Sequence, residues 1–394
     1  MNHDPIVIVS AARTPMGAFQ GELKGFAAPE LGAAAIRAAV ERARLTPEDV
    51  QEVIMGCVLP AGQGQAPARQ ASLGAGLPLA AGCTTVNKMC GSGMKAAMLA
   101  HDELLAGSVE IIVAGGMESM TNAPYLLPKA RAGLRMGHAQ VIDHMFYDGL
   151  EDAYDKGRLM GTFAEDCAQK YAFSRESQDA FAITSLKRAQ QANKEGWFAW
   201  ETTPLAIKAG KDEKFMETDE QPFKANLEKI PTLKPAFRKD GTVTAANSSS
   251  ISDGAAALVL MRRSTAQERG LAPLATIVGH ATHAQEPGWF TTAPVGAMHK
   301  LFARTGWSAD QVDLFEINEA FAVVPMAAMR DLGLPHEKVN VHGGACALGH
   351  PIGASGARIV VTLIGALRKY GKKRGVASLC IGGGEATAMA IELA

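Results

Sequence analysis

Residues 376–385 read VASLCIGGGE, an apolar run that ends in three glycines and a glutamate. Residues 110–118, EIIVAGGME, repeat this order of apolar run, glycines and glutamate. Short aliphatic runs rich in β-branched residues and bounded by glycine predict buried strands. Because the same order occurs in both halves of the chain, it predicts an internal duplication of the fold.

Similar apolar runs alternate with Ala-rich helical stretches along the rest of the chain. Residues 6–9 and 53–58 predict strands, whereas residues 29–44, 94–106 and 357–370 predict helices. This alternation predicts an α/β fold with mainly parallel, buried sheets and helices on their faces. At 394 residues the chain is too long for one ordinary core, so we expect two or three domains.

Charge and cysteine content exclude several classes of partner. A formal net charge of −1 gives no electrostatic reason to bind nucleic acid or an anionic membrane, and no apolar run is long enough to span a bilayer. The six cysteines contain no CxxC pair, and residues 1–9 resemble a first strand rather than a signal peptide. We therefore expect reduced thiols and a cytoplasmic location.

Three reactive side chains occur in glycine-rich segments. Residues 340–356 read NVHGGACALGHPIGASG, and the proline and small residues after His350 place its imidazole at the start of a helix, where an anionic or polarised group is favoured. Cys90 lies in VNKMCGSGMK, residues 86–95, and Cys380 precedes the glycines of the first segment quoted above. Two thiols and a histidine on tight turns suggest covalent acyl transfer on a thioester.

Two further segments, GTVTA at residues 241–245 and NEAFA at residues 318–322, complete a set of motifs that closely resembles the thiolase family, of the acetyl-CoA acetyltransferase type. The resemblance covers essentially the whole chain. It implies the thiolase fold, in which duplicated βαβ halves form a five-layered αβαβα arrangement with an inserted loop domain. The expected boundaries are an N-terminal half at residues 1–120, completed by residues 247–272, a loop domain that covers coenzyme A (CoA) at residues 121–246, and a C-terminal half at residues 273–394.

The resemblance assigns catalytic roles to five positions: Cys90, His350, Cys380, Asn318 and Gly382. Cys90 is the nucleophile, and its place at a helix N-terminus is expected to lower the pKa of its thiol. His350, whose ordinary pKa is near neutrality, takes the Cys90 proton, and Cys380 moves the proton on the methyl carbon of acetyl-CoA. One oxyanion hole is implied for His350 and a water bound by Asn318. A second is implied for the backbone N–H groups of Cys90 and Gly382.

Each of these side chains also has a purely structural interpretation. A lone cysteine is most often a small buried hydrophobe, His350 could cap a helix, and Asn318 could be a turn residue at a strand end. His342, Cys346 and His350 recur every four residues, as the ligands of a metal site on a helix would. Residues 343–344 are both glycine and argue against one helix that presents all three, so we expect no metal.

The resemblance also implies which residues line the pantetheine arm and the acyl group: Leu150, Met160, Phe237, Ala245, Ser249, Ala320 and Phe321. Ordinary core packing is the alternative for each. The chain departs from the family pattern at Ala246-Asn247, at Ser249-Ser250 and at Trp289-Phe290, where many short-chain enzymes have a methionine. These departures leave the acyl-chain preference open. The Lys-rich residues 208–239 are either a solvated surface or cations that face the CoA phosphates.

The expected reaction is the reversible condensation of two acetyl-CoA molecules to acetoacetyl-CoA and CoA, by a ping-pong mechanism through an acetyl group on Cys90. CoA thioesters are the substrates, and no cofactor is expected, because no dinucleotide-binding fingerprint stands in a βαβ context and no Walker motif is present. The alternatives are a broad-specificity 3-ketoacyl-CoA thiolase of fatty-acid degradation, a ketoacyl-carrier-protein synthase, and a thiolase-like acyl-CoA-binding protein without turnover. The family also implies a homotetramer, to which residues 125–140 could contribute contacts.

Overall fold

The computed structural model describes residues 4–209 and 212–394. Its strands are β1 (Ile6–Arg13), β2 (Gly17–Ala18), β3 (Glu52–Gly56), β4 (Gly82–Val86), β5 (Ile111–Ser119), β6 (Tyr125–Leu126), β7 (Ile142–Asp143), β8 (Leu205–Ala209), β9 (Asp212–Met216), β10 (Ser252–Arg262), β11 (Ala275–Ala284), β12 (Leu314–Ile317), β13 (Arg374–Ile381) and β14 (Glu385–Leu393). Its α-helices are α1 (Ala28–Arg42), α2 (Pro67–Gly74), α3 (Ser92–Ala106), α4 (Met160–Lys170), α5 (Arg175–Lys194), α6 (Gln221–Lys224), α7 (Arg263–Glu268), α8 (Ala293–Thr305), α9 (Val323–Leu332), α10 (Ala345–Leu348) and α11 (Ile352–Lys369).

The predicted strands and helices are confirmed, and several are longer than expected. Strand β1 continues to Arg13, and helix α11 begins at Ile352 rather than at residue 357. The small residues at the start of α11 allow close packing inside the helix layer. At Gly356, for example, a Cβ would lie 2.3 Å from the backbone nitrogen of Met94 in α3.

One large mixed sheet contains strands from both halves of the chain, in the order β4-β3-β5-β10-β1-β11-β14-β13-β12, and β2 pairs with β10. The order β3-β5-β10-β1 recurs as β12-β13-β14-β11, and each series has one parallel pair followed by two antiparallel pairs. The internal duplication is therefore confirmed. The two halves of the sheet meet at a short seam, where Val7 pairs with Thr276 and Ile8 with Ala275.

The prediction of mainly parallel sheets is wrong. Within residues 4–209 and 212–394, the parallel pairs of the large sheet are β3/β4, β3/β5 and β12/β13, and its other pairs are antiparallel. The glycines after β13 form a tight hairpin to β14, and so short a loop joins only antiparallel strands. Gly383 and Gly384 have φ angles of 91° and 86°, which favour glycine. Gly115 and Gly116 instead continue β5, which ends at Ser119.

The helices form three layers around the two halves of the sheet. Helices α3 and α11 pack between the halves, α1 and α2 cover the outer face of the N-terminal half, and α8 and α9 cover that of the C-terminal half. The result is the expected αβαβα arrangement. Residues 352–367 of α11 are all buried, because a helix in the central layer packs on every side.

Residues 121–251 add no strand to the large sheet within the part of the chain that the structure describes. They form the hairpins β6/β7 and β8/β9 and the helices α4, α5 and α6. Buried ion pairs anchor this segment: Arg13 Nε lies 2.5 Å from Glu201 Oε1, and Arg13 Nη1 lies 2.6 Å from Asp219 Oδ1. Charges that are buried require such partners. Among the described residues, no helix combines the length and apolar character needed to cross a membrane.

Candidate active site

Cys90 lies in the turn between β4 and α3, and its neighbours hold this turn in a strained shape. Met89 has a φ of 46°, which a residue with a side chain rarely adopts. The Met89 N–H donates to Asn87 Oδ1 at 2.9 Å. The Ser92 hydroxyl accepts from the Lys88 N–H at 2.8 Å and donates to the Met89 carbonyl at 2.6 Å. Strain of this type persists only where the surroundings fix it, so the position of the Cys90 thiol is well defined.

Cys380 lies within strand β13 and not on a turn, which corrects the expectation from the sequence. Burial and then the nearby Cys90 raise the pKa of the Cys380 thiol well above its ordinary value. The Cys90 turn packs against the end of the same strand, since a Cβ on Gly91 would come 2.3 Å from Ile381 Cδ1. The two predicted thiols are therefore neighbours at one end of β13.

The environment of the Cys90 thiol differs from what its place at a helix N-terminus predicted. Burial raises the pKa of Cys90 to about 11, and the charge of Glu118 acts in the same direction. Hydrogen bonds to the sulfur from the backbone N–H groups of Gly382 and of Cys90 itself oppose this rise without cancelling it. The expectation of a lowered pKa is therefore wrong, because loss of water outweighs the helix N-terminus. Cys90 is a neutral thiol at rest and requires a base.

The protonation state and the hydrogen bonds of His350 leave one ring nitrogen able to accept a proton. Its Nδ1 lies 2.6 Å from Ser355 Oγ, and the Ser355 hydroxyl donates to the Pro351 carbonyl at 2.9 Å. Since a hydroxyl has one hydrogen, Ser355 accepts from an Nδ1–H of His350. The proton is then on Nδ1, and Nε2 carries the lone pair that can accept a proton. Burial, together with the nearby Arg358, lowers the pKa of His350 to about 3, so the ring is neutral at physiological pH.

Asn318 lies beside His350, as the motifs implied. It follows β12 directly, is buried, and its backbone N–H donates to the Ser378 carbonyl at 3.0 Å. The Asn318 side-chain nitrogen lies 3.4 Å from His350 Nδ1 and 3.5 Å from Nε2. Its oxygen lies 3.4 Å from Nη2 of Arg358, whose guanidinium is 3.6 Å from the Glu316 carboxylate. The polar side chains of Asn318 and His350 thus lie side by side in the candidate site.

A cavity of about 360 Å³ opens beside His350. Six of the seven predicted substrate-binding residues line it together with His350: Leu150, Met160, Phe237, Ala245, Ser249 and Phe321. Ala320 is the exception, since it lies behind the wall and its carbonyl accepts a hydrogen bond from the Ser249 N–H at 2.9 Å. Sequence reasoning missed further lining residues, which are Met120, Phe146, Leu159, Gly161, Ala236, Ser248, Ser250, Ile251 and Ile352.

Aromatic rings form one wall of this cavity. The ring centres of Phe237 and Phe321 are 6.0 Å apart, and those of Phe321 and Phe290 are 6.5 Å apart. Phe290 is buried behind Phe321, whereas Trp289 stacks under the Lys170 ammonium at 4.1 Å. The Trp289-Phe290 departure from the family pattern therefore acts on the cavity from behind, through Phe321. The rings meet edge to face, an arrangement that aromatic pairs prefer, so this wall limits the acyl space.

A second cavity of about 320 Å³ adjoins the first and shares Ala245 and Ser250 with it. Lys224 and Lys229, from the Lys-rich segment, line this second cavity. Lys214, from the same segment, lies outside this cavity and pairs with Glu22 on the surface at 3.2 Å, whereas Lys224 pairs with Glu220 at the cavity. Lysines of this segment therefore lie in two different environments.

The histidine and cysteine spacing that could have indicated a metal site does not produce one. The His342 ring packs against Trp197 and Phe198, with ring centres 5.1 Å and 5.7 Å away. Cys346 lies in the short helix α10, and its thiol contacts the Glu319 carbonyl. His350 is committed to Ser355, so the three side chains serve three different environments.

Comparisons with known proteins agree with this fold. Residues 6–264 match the family model for the thiolase N-terminal domain, and residues 271–393 match that for the thiolase C-terminal domain. A protein of Schizosaccharomyces pombe named acetyl-CoA acetyltransferase is 49% identical over the full length of both chains. A Cupriavidus necator protein of the same name is 50% identical, over 98% of this chain and 99% of that one.

Among solved structures, the Acat5 thiolase from Ascaris suum in complex with coenzyme A superposes with a TM-score of 0.93. It is 42% identical, and the match covers 99% of this chain and 100% of that one. The layered fold, the two thiols and the histidine define a protein of the thiolase class. The chain belongs to the thiolase family.

Proposed function

We propose that this protein is an acetyl-CoA C-acetyltransferase, which interconverts two molecules of acetyl-CoA with acetoacetyl-CoA and CoA. The observation that carries the proposal is that the Cys90 turn packs against the end of β13, so that the Cys90 sulfur has Cys380 as a neighbour and the backbone N–H groups of Gly382 and of Cys90 itself close by. A thioester formed on that sulfur would place its carbonyl oxygen within reach of the same donors. Each such donor contributes roughly 100- to 1000-fold to the rate of acyl transfer.

In the thiolysis direction, His350 Nε2 takes the proton of Cys90 as the sulfur attacks the keto carbon of acetoacetyl-CoA. The bond between the second and third carbons breaks, and its electron pair stays on the acetyl-CoA fragment as an enolate. The Cys380 thiol protonates this carbon, and acetyl-CoA leaves. The proton on His350 then restores the Cys380 thiol. Neutral thiols and a neutral imidazole at rest are the forms that this sequence requires.

The second half-reaction transfers the acetyl group from Cys90 to CoA. The CoA sulfur attacks the acetyl carbonyl, the bond to Cys90 breaks, and the proton of the CoA thiol ends on Cys90. The N–H groups of Cys90 and Gly382 stabilise the tetrahedral oxyanion of this step. His350 and an Asn318-bound water stabilise the enolate oxygen of the first half-reaction. The condensation is the reverse of these steps and uses the same groups.

We further propose that the inserted residues 121–246 cover CoA, with the pantetheine arm and acyl group in the first cavity. Lys224 and Lys229 would face the phosphates, because they line the adjoining cavity. The CoA-bound Ascaris suum thiolase, which matches over nearly the whole chain, supports CoA as the ligand.

The rival is a broad-specificity thiolase that cleaves longer 3-ketoacyl-CoA substrates. The aromatic wall of Phe237, Phe321 and Phe290 favours the short-chain proposal, because it closes the acyl space. The test compares CoA-dependent thiolysis of acetoacetyl-CoA and of a longer 3-ketoacyl-CoA under identical conditions. A strong preference for acetoacetyl-CoA is expected. Comparable rates would favour the rival, and cleavage of neither would favour an acyl-CoA-binding protein.

A homotetramer in the cytoplasm completes the proposal. Residues near the β6/β7 hairpin expose apolar side chains that a solvated surface would not favour: Tyr125, Leu127, Leu134, Met136 and Val141. Met136 is 98% exposed. Sedimentation equilibrium should give the mass of four chains, and Met136→Glu should reduce it to that of two. A monomer in the wild type would contradict the assembly without affecting the proposed chemistry.

A further inference from the structure

Glu118, near the end of β5, has a fully buried carboxylate that serves as a hydrogen-bond acceptor for three backbone groups. Its Oε2 accepts from the Val58 N–H and the Gly353 N–H, both at 2.9 Å. Its Oε1 accepts from the Leu59 N–H at 3.1 Å and lies 3.6 Å from the Cys57 sulfur. Neither the Cys57 thiol nor the Glu118 carboxylate has a role in the mechanism proposed above.

These acceptors join two segments that are remote in the sequence. Val58 and Leu59 follow β3, whereas Gly353 lies in the first turn of α11, three residues after His350. Gly353 is adapted to this contact, because a Cβ there would lie 2.6 Å from Glu118 Oε2. The first N–H groups of a helix have no partner within the helix, and a carboxylate satisfies them and interacts favourably with the helix dipole.

Both of the segments that Glu118 binds also contact the nucleophile turn. Leu59 and Ile352 belong to a buried apolar cluster against which Met89 and Cys90 pack. Glu118 therefore connects the turn that carries Cys90 with the helix start that carries His350. The negative charge of Glu118 also contributes to the raised pKa of the Cys90 thiol.

We propose that Glu118 is a positioning residue, which fixes the first turn of α11 and hence His350 relative to Cys90, and whose negative charge keeps Cys90 protonated until the base acts. This inference rests on the roles proposed for Cys90 and His350. The titratable group in contact with the carboxylate is the thiol of Cys57, and the charge of Glu118 also acts on the pKa of Cys90. The neighbouring positions on β10 and α11 are Gly254 and Gly353, which have no side chain. Burial raises the pKa of Glu118 to about 7, so the carboxylate is charged above neutrality.

Two substitutions test the charge and the length of the Glu118 side chain separately. Glu118→Gln keeps the length of the side chain and removes the charge, whereas Glu118→Asp keeps the charge and withdraws it from Gly353. Glu110→Gln is the matched control, since Glu110 is an exposed residue next to the start of the same strand. The readouts are kcat and KM for thiolysis, and the pH profile of Cys90 alkylation by iodoacetamide, which needs no turnover.

We expect kcat to fall on the order of 100-fold in both Glu118 variants, with KM little changed, because small displacements of a catalytic group cost that much. The alkylation profile should shift to lower pH in Glu118→Gln and remain in place in Glu118→Asp and in the control. A structural defect that admitted water to Cys90 would shift the profile in Glu118→Asp as well, so a shift confined to Glu118→Gln identifies the loss of the charge. Wild-type kcat, or an unshifted profile in folded Glu118→Gln, would overturn the proposal.

Should Glu118→Gln fail to fold, wild-type kcat in Glu118→Asp would overturn the proposal just as directly. Failure of the proposed function is recognised separately. If the wild type formed no acetyl-Cys90 with acetyl-CoA, the thiolase chemistry would be wrong, whereas the alkylation profiles would still test the contact between Glu118 and the Cys90 site.

Discussion

The Nδ1 of His350 and the Oγ of Ser355 lie 2.6 Å apart, and this pair determines which ring nitrogen can take a proton. The Ser355 hydroxyl is committed as a donor to the Pro351 carbonyl, so it holds the histidine proton on Nδ1 and leaves Nε2 free. A single hydroxyl one turn into α11 thus fixes the tautomer of the proposed base in the absence of substrate.

Replacing this hydroxyl should weaken catalysis without unfolding the protein. In Ser355→Ala the imidazole loses the partner that selects its tautomer, and kcat for thiolysis should fall on the order of 10- to 100-fold. KM should change little. Thr202→Val is the control, because Thr202 is a buried hydroxyl that donates to the Phe198 carbonyl at 3.1 Å, outside the site. Equal losses of kcat in both variants would contradict the assignment of the tautomer.

Replacing each of the two thiols should block a different step of the reaction. Cys90→Ala should form no acetyl-enzyme, whereas Cys380→Ala should still be acetylated by acetyl-CoA but should not condense two acetyl units. Mass spectrometry of the intact chain measures the first step, and release of acetoacetyl-CoA measures the second. Acetoacetyl-CoA produced at wild-type rates by both variants would show that neither sulfur has the proposed role.

Replacing Lys224 or Lys229 should raise the KM for CoA but not for shorter thiol substrates. Their replacement by glutamine should raise KM for CoA about two- to fivefold for each lysine, the effect expected of partly exposed ion pairs, and the loss should diminish at high salt. A thiol substrate that contains only the pantetheine part has no nucleotide phosphates and should be unaffected. Lys214→Gln, at the surface pair with Glu22, is the matched control. A KM for the pantetheine thiol that rises equally would rule out phosphate contacts.

His342 should make the protein sensitive to acid. Burial and the nearby Lys369 lower the pKa of His342 to about 4, and among the described residues neither ring nitrogen has a hydrogen-bond partner. Below the ordinary pKa of about 6.5, the unfolded chain binds a proton at this ring that the folded protein does not, so stability falls as the pH falls towards 4.

His342→Leu removes this proton uptake. Relative to the wild type, the free energy of unfolding of the variant should gain about 2 kcal/mol on going from about pH 8 to about pH 5. Urea unfolding at the two pH values measures the difference, and thiolysis near neutrality should be unchanged because His342 lies outside the site. The same pH dependence in both proteins would mean that His342 takes up a proton as readily in the folded protein as in the unfolded chain.

The sequence predicted the duplicated architecture well but misjudged the direction of its strands. The repeated order of apolar run, glycines and glutamate correctly marked β5 and β13. Glycines serve two purposes in these segments, however. Gly383 and Gly384 turn the chain, whereas Gly115 permits close approach inside the sheet, where a Cβ would lie 2.1 Å from the Ala256 carbonyl oxygen. Composition alone cannot distinguish a turn from a close contact between strands.

The identities of the predicted catalytic side chains could be proposed from motifs, but their protonation could not. The pKa values of Cys90 and His350 depend on how completely the layers exclude water, which is a property of the packed fold. Ser355 and Glu118 were missed for the same reason, because serine and glutamate are ordinary residues until their partners are known. The glutamate at the end of the apolar run at residues 110–118 was the available signal, since a charge next to a buried strand needs a partner.

The division of the site between the two repeats has a consequence for how this chain must mature. The proposed nucleophile Cys90 comes from the first repeat, whereas His350, Cys380 and Asn318 all come from the second. On the proposed mechanism, catalysis can begin only after the repeats have docked, with the short β1/β11 seam and the shared central helices as their junction. A half-synthesised chain would then contain the proposed nucleophile before its base has been translated, so newly made protein would be inactive until the last strands are in place.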